Sequence, residues 1–271
     1  MKGRIFGVAM LIVAAWLWAV VPAHAQHNSE SDFLVTRTAD LGGVIIIRFV
    51  GDGTVVSIPP RIRGLPVVEI GENAFQGQNE YGGLGGIGLT AVTIPDTVVY
   101  IGDWAFSDNQ LTTVAIPNSV ATIGQFAFAS NQLTAVSIPN SVTTIGAAAF
   151  WMNQLTSVSI PDSVTVIESA FSMNQLTSVS IPNSVTTIRN GAFYGNQLAS
   201  VIIPSSVTAI ERDAFTDNPL TSVTIGANVF IAAALGVQAA GLPSGFIEAY
   251  NRSSRRAGTY MLHGDIWLEE W

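Results

Sequence analysis

NQLTTVAIPNSVATIGQFAFAS, residues 109–130, is followed at once by a near copy, NQLTAVSIPNSVTTIGAAAFWM over residues 131–152, and then by three more. Leu89, Leu111, Leu133, Leu155, Leu176, Leu198 and Leu220 recur in steps of 22, 22, 22, 21, 22 and 22 residues. Pro95, Pro117, Pro139, Pro161, Pro182 and Pro204 keep that step, as do Phe106, Phe128, Phe150, Phe171, Phe193 and Phe215. A divergent first copy runs from Val55 through Ile58 and Pro59 to Ala74 and Phe75. A period of this length, held by three residue types in one register, specifies stacked coils.

Each part of the unit has a physical role. Val114 and Ile116 alternate with small polar residues, as a half-buried strand requires. Pro117 ends that strand, and Asn118 and Ser119 complete a turn. Val120 and Ile123 give a second apolar contact, and Ala127 with Phe128 closes the coil. The stretch from Ile123 to Asn131 is too short for a full helix, so a 3₁₀ turn or irregular bend is expected there. One coil cannot bury both of its faces, so stacking is obligatory. The one short unit loses its residue between Ile167 and Phe171, which marks that side as a loop-like edge.

Outside the array the chain begins with Lys2 and Arg4, an apolar run from Ile5 to Val21, and Ala23-His24-Ala25. These read as a signal peptide over residues 1–25, with no membrane span left after cleavage. The whole chain carries a formal charge of -8, and losing Lys2 and Arg4 takes it to about -10. That balance argues against a nucleic-acid binder. The sequence has no Cys, which excludes disulfides and thiolate metal sites. Residues 26–53 are expected to form an N-terminal β cap, residues 54–230 the array with an insertion at 76–88, and residues 231–271 a C-terminal capping module. Within that last segment a short helix near Phe246–Asn251 and a hairpin near Gly258–Trp267 are expected.

LTSVSIPNSVTTI followed by AF resembles the BspA-type, or Treponema pallidum-type, leucine-rich repeat of bacterial surface and secreted proteins. The likeness covers about Ile45 to Ile225, and the variant is similar to those of spirochaetes. Many members carry Cys three residues after the Phe, where this chain has Asn131, Asn153 and their equivalents. The resemblance implies export, surface display and binding of proteins or host-type ligands, with no catalytic residues. The expected fold is a mainly β solenoid, a right-handed leucine-rich-repeat array of about seven 22-residue coils with N- and C-terminal caps.

No enzyme, cofactor or metal site is expected. The histidines beyond residue 25 are His27 and His263, at opposite ends, and no repeat contains one. This leaves no base for a Ser nucleophile and no histidine cluster for a metal. Gly83 to Gly88 spells GxGxxG, but a dinucleotide site needs it between a strand and a helix, and a flexible loop is expected instead. Asn109, Asn131, Asn153, Asn174, Asn196 and Asn218 share one register. They read either as a ladder satisfying turn backbone groups of neighbouring coils or as ligand-facing amides. The Phe register reads as a stacked core ladder. Glu168, Arg189 and Glu211 hold equivalent places and could pair as alternating charges.

Asn109 to Pro161 contains no charged residue. The edge of that zone and its neighbour carries Trp104, Phe126 and Trp151, which read as a contact patch or as rings folded back to cap the array. The function that follows is a secreted or surface-displayed binding scaffold for an unknown protein or cell-surface ligand, acting in protein–protein interaction or adhesion. A self-assembling envelope protein is a second reading. An ice- or glycan-surface binder, suggested by the Ser/Thr rows, is a third. The oligomeric state is open.

Overall fold

The computed structural model describes residues 27–78, 84–231, 242–253, 255–263 and 266–270. The segment read as a signal peptide lies outside them. The described chain is a β solenoid of about eight turns.

Strands within each coil are short because proline and turns interrupt the backbone repeatedly. The second apolar positions form two-residue parallel ladders, with Tyr100–Ile101, Thr122–Ile123 and Thr144–Ile145 side by side. Val166–Ile167, Thr187–Ile188, Ala209–Ile210 and Phe230–Ile231 form a second such ladder. The two ladders are separate sheets, and the gap between them falls at the 21-residue coil. In the middle of the array the strand before the proline is narrower than the sequence pattern suggests, whereas Ala91–Thr93 and Ser200–Ile202 keep three residues. Val136–Ser137 pairs with Val158–Ser159, whereas the preceding coil contributes only the bridge from Ala115 to Ser137. Proline has no N–H to give a ladder, and the turn begins at once: Val120 N–H donates to the Pro117 carbonyl at 3.1 Å.

The bend before each Asn is made of successive turns and not a helix. Its N–H groups cross to the next coil, Phe128 to Ala149 and Phe106 to Ala127, both at 2.8 Å. Just past the bend Gln132 and Gln154 donate to Leu111 and Leu133 of the preceding coils at 2.9 and 3.0 Å. Neighbouring coils therefore satisfy each other's backbone around most of the circumference, as buried polar groups require.

Inside, the Leu register is almost wholly buried and every Phe of the Phe75-to-Phe215 register is fully so. Consecutive rings from Phe75 to Phe215 stack at 4.7–5.9 Å with interplanar angles of 2–20°. Each such ring contributes about 1.5–3 kcal/mol by burial alone, and near-parallel stacking adds to it. Where the chain runs Gly102, Gly124, Gly146 on successive coils, the backbones approach closely. A Cβ on Gly124 would lie 2.6 Å from the backbone N of Asp103 and the carbonyl C of Gly102.

The ends of the array are covered by antiparallel pairs. Phe33–Arg37 pairs with Val44–Phe49, which in turn lies parallel to Leu65–Ile70. Phe33 and Phe49 extend the ring column, Phe49 lying 5.6 Å from Phe75. At the other end Ser222–Ile225 takes Gly258–His263 as an antiparallel neighbour, and Ile266–Glu270 follows it. The helix Ser244–Arg252 packs there through Phe246 and Tyr250. Tyr250 hydroxyl donates to the Gly226 carbonyl and accepts from Val229 N–H, both at 2.9 Å, tying helix to array. Within the insertion Gln76–Gln78 pairs antiparallel with Leu84–Gly86, so these two segments are strands where a flexible loop was expected, while residues 79–83 lie outside the described residues. Gly86 fits because its position leaves no room for a side chain beside the Asp108 carbonyl.

Candidate functional site

The six register asparagines sit at the inner corner of each coil, where the chain leaves the bend. Asn153 is typical. Its Oδ1 accepts from Leu133 N–H at 3.0 Å, and its Nδ2 donates to the carbonyls of Phe128, Phe150 and Trp151 at 2.9, 3.2 and 3.3 Å. Asn109, Asn131, Asn174 and Asn196 repeat the set and are 5–7% exposed. Asn218 repeats it at the end of the array but is only part-buried. Every amide atom is spent on backbone, which leaves nothing for a ligand.

A feature of the sequence that the periodic reading missed lies on the outer edge. One column of residues, Asn73, Trp104, Phe126, Ala148, Ser169, Gly191 and Asp213, has positive φ throughout. A second, Asp108, Ser130, Met152, Met173, Gly195 and Asp217, does too. Glycine tolerates this conformation, Asn and Asp do so with some ease, and bulky residues adopt it at a cost of about 1–2 kcal/mol. Gly191 and Gly195, four apart and each followed one period later by Asp (Asp213 and Asp217), were the available signal.

Large side chains at such positions are therefore unusual. Trp104 and Phe126 are both half-buried and stack at 4.0 Å with an interplanar angle of 13°. Trp151 belongs to a different register, three residues further along its coil than Ala148, yet its ring meets Phe126 edge-on at 6.2 Å. The three rings form one continuous patch across three coils. Met152, next to Trp151 in sequence, and Met173, its equivalent in the following coil, are 44% and 42% exposed. Tyr194 follows on the Trp151 register, and a hydrogen bond to Asp217 raises its phenol pKa.

Other candidates are dispersed. Glu168, Arg189 and Glu211 form an exposed ladder, with Arg189 3.0 Å from Glu168 and 4.0 Å from Glu211. His27 meets Ser57 and His263 meets Glu270, at opposite ends. Among the described residues no group of three or more His, Cys, Asp or Glu could hold a metal. Among them, too, no helix is long and apolar enough to cross a membrane.

The geometry defines a leucine-rich-repeat solenoid. The family described as "BspA type Leucine rich repeat region" matches in six copies over residues 64–170 and 168–233, more than half of the chain. The protein belongs to that family. It is similar to a leucine rich cell surface protein from Faecalibacterium prausnitzii, at 30% identity and TM-score 0.60 over 73% of this chain and 54% of that one. The chain thus spans about half the length of that relative. A T. pallidum leucine rich repeat protein aligns at 28% identity, TM-score 0.43, over 57% of this chain and 84% of that one. A leucine-rich repeat protein from Bacteroides ovatus aligns at 24%, TM-score 0.43, over 73% and 65%. No curated protein matches the chain.

Proposed function

We propose that the chain is an exported, non-enzymatic scaffold that binds a protein at the bacterial surface or after secretion, and that Trp104, Phe126 and Trp151 are the centre of its contact surface. The observation that carries this reading is the placement of Trp104 and Phe126 at positive-φ positions where the smaller Asn73, Ala148, Ser169, Gly191 and Asp213 stand in other coils. Strain of this kind is characteristic of functional positions. Phe126, Trp151 and the exposed Met152 lie within the charge-free stretch Asn109–Pro161, and aromatic and Met side chains away from charge match the composition of interface cores. The likeness to a cell-surface relative supports display outside the cell, as does the leader-like start of the sequence. The rows of Ser and Thr on the strand face are broken by Ala115 and Ile202, which favours a protein partner over an ice or crystalline glycan surface.

The test is binding of labelled protein to surface-protein fractions, comparing the native sequence with a Trp104/Phe126/Trp151 triple alanine variant of unchanged circular dichroism. Loss of binding in the variant is expected, and equal binding by both would remove the patch from the account. Concentration-dependent oligomers in size-exclusion chromatography, abolished by the same variant, would replace the partner reading with self-assembly.

A further inference from the structure

The patch ends at a cleft with a chemistry of its own. Trp104 gives one ring face to Phe126 of the following coil. With residues of the preceding coil it also borders a cleft of about 280 Å³, lined among the described residues by Glu72, Asn73, Gln76, Trp104 and Asp108. Gln76 is 6% exposed, and its Oε1 has no hydrogen-bond partner. A buried carbonyl oxygen left unpaired carries a free-energy penalty that a donor from a ligand would relieve. Asn73 Nδ2 is already committed to Glu72 Oε1 at 3.2 Å, and Asp108 Oδ2 takes the Ser107 hydroxyl at 2.8 Å. Two exposed carboxylates, one orphaned amide oxygen and the electron-rich face of an indole make the described lining rich in acceptors.

We propose that this cleft receives the cationic side chain, arginine by preference, of a segment of the bound protein. A guanidinium stacks on an indole face while its N–H groups serve carboxylates and an amide oxygen in one plane, which an ammonium does less completely. An anion is repelled, and a neutral sugar gains nothing from the two charges. The volume lies below the ~300–1,000 Å³ of small-molecule sites and suits a single side chain. The acidic balance of the whole chain, -8, draws a basic partner to it. This assignment rests on the protein-binding reading above and names the chemistry of the partner.

The experiment follows the Trp104 indole N–H resonance of the intact chain, assigned with Trp104→Phe, during titration with a blocked arginine amide. A saturable shift with Kd in the millimolar range is expected, reduced at least fivefold in 1 M NaCl and at least tenfold in the Glu72→Gln/Asp108→Asn double variant. The blocked citrulline amide, neutral and nearly isosteric, is expected to give no saturable shift. Equal shifts from citrulline, an undiminished shift in the double variant, or a shift from a methyl glycoside but not from arginine would each overturn the proposal. A partner protein that binds native and double variant alike, but not the triple alanine variant, would leave the scaffold reading intact and remove the arginine cleft alone.

Discussion

Replacing Asn153 by alanine isolates what the asparagine column contributes. Four hydrogen bonds vanish, but they are not equivalent. The Phe128 carbonyl keeps Asn131, the Phe150 carbonyl keeps Asn174, and the Trp151 carbonyl keeps the N–H of Ser130. Leu133 N–H loses its partner outright in a place water does not reach. One orphaned buried donor costs about 1–3 kcal/mol, and each weakened carbonyl adds up to about 0.5. The expected loss is therefore about 2–4 kcal/mol, read from equilibrium urea unfolding with unchanged m value. Asn153→Asp is expected to cost more at pH 7, because a carboxylate then faces three carbonyls, and to cost less in acid, where a protonated carboxyl can donate to one. Asn218→Ala, at a part-buried position, is expected to cost less than half as much. Amide exchange offers a local readout, since Leu133 N–H should lose protection selectively in Asn153→Ala. A loss below about 0.5 kcal/mol, or equal losses at 153 and 218, would refute the claim that buried backbone satisfaction holds the coils together.

Phe150→Ala removes one ring from the stacked column and is expected to cost about 3–5 kcal/mol in urea melts; under 1 kcal/mol would mean the ring is not part of the core. Gly124→Ala is expected to lose about 1–3 kcal/mol, because its Cβ would meet the Asp103 carboxylate at 2.5 Å and adjacent backbone; an unchanged melting temperature would show that the coils can separate freely there. Burial raises the Glu69 pKa. A carboxyl raised in the folded state favours folding at low pH and loses that contribution as pH rises through its folded range. Glu69→Gln should thus exceed the native stability at pH 7, with the gap closing on acidification, and identical pH profiles would count against it. Trp151→Ala is expected to cost under about 1 kcal/mol, a shift of roughly 2–4 °C in melting temperature; a larger fall would make the ring a cap on the array and not a contact residue.

The sequence alone determined the solenoid, because the Leu, Pro and Phe registers each report a local requirement that must recur in every coil. A ring that packs on the ring one period away can be read from spacing without coordinates. What lies between the registers was decided by tertiary structure. The narrowness of the strands in mid-array, the pairing of Gln76–Gln78 with Leu84–Gly86 and the split of the parallel ladder beside the shortened coil depend on which backbones meet. The same holds for the edge. Trp104, Phe126 and Trp151 are visible as aromatic residues, but only the positive-φ column turns the first two outward in a stack and lets Trp151, from another register, complete it. Gln76 stands one place after Phe75, in the register of Trp151 and Tyr194, which keeps no one residue type; its unpaired oxygen becomes meaningful because folding brings it beside a ring 28 positions further along the chain. Periodicity encodes what each coil repeats, whereas a site arises where coils differ, and differences acquire neighbours only when the chain is stacked.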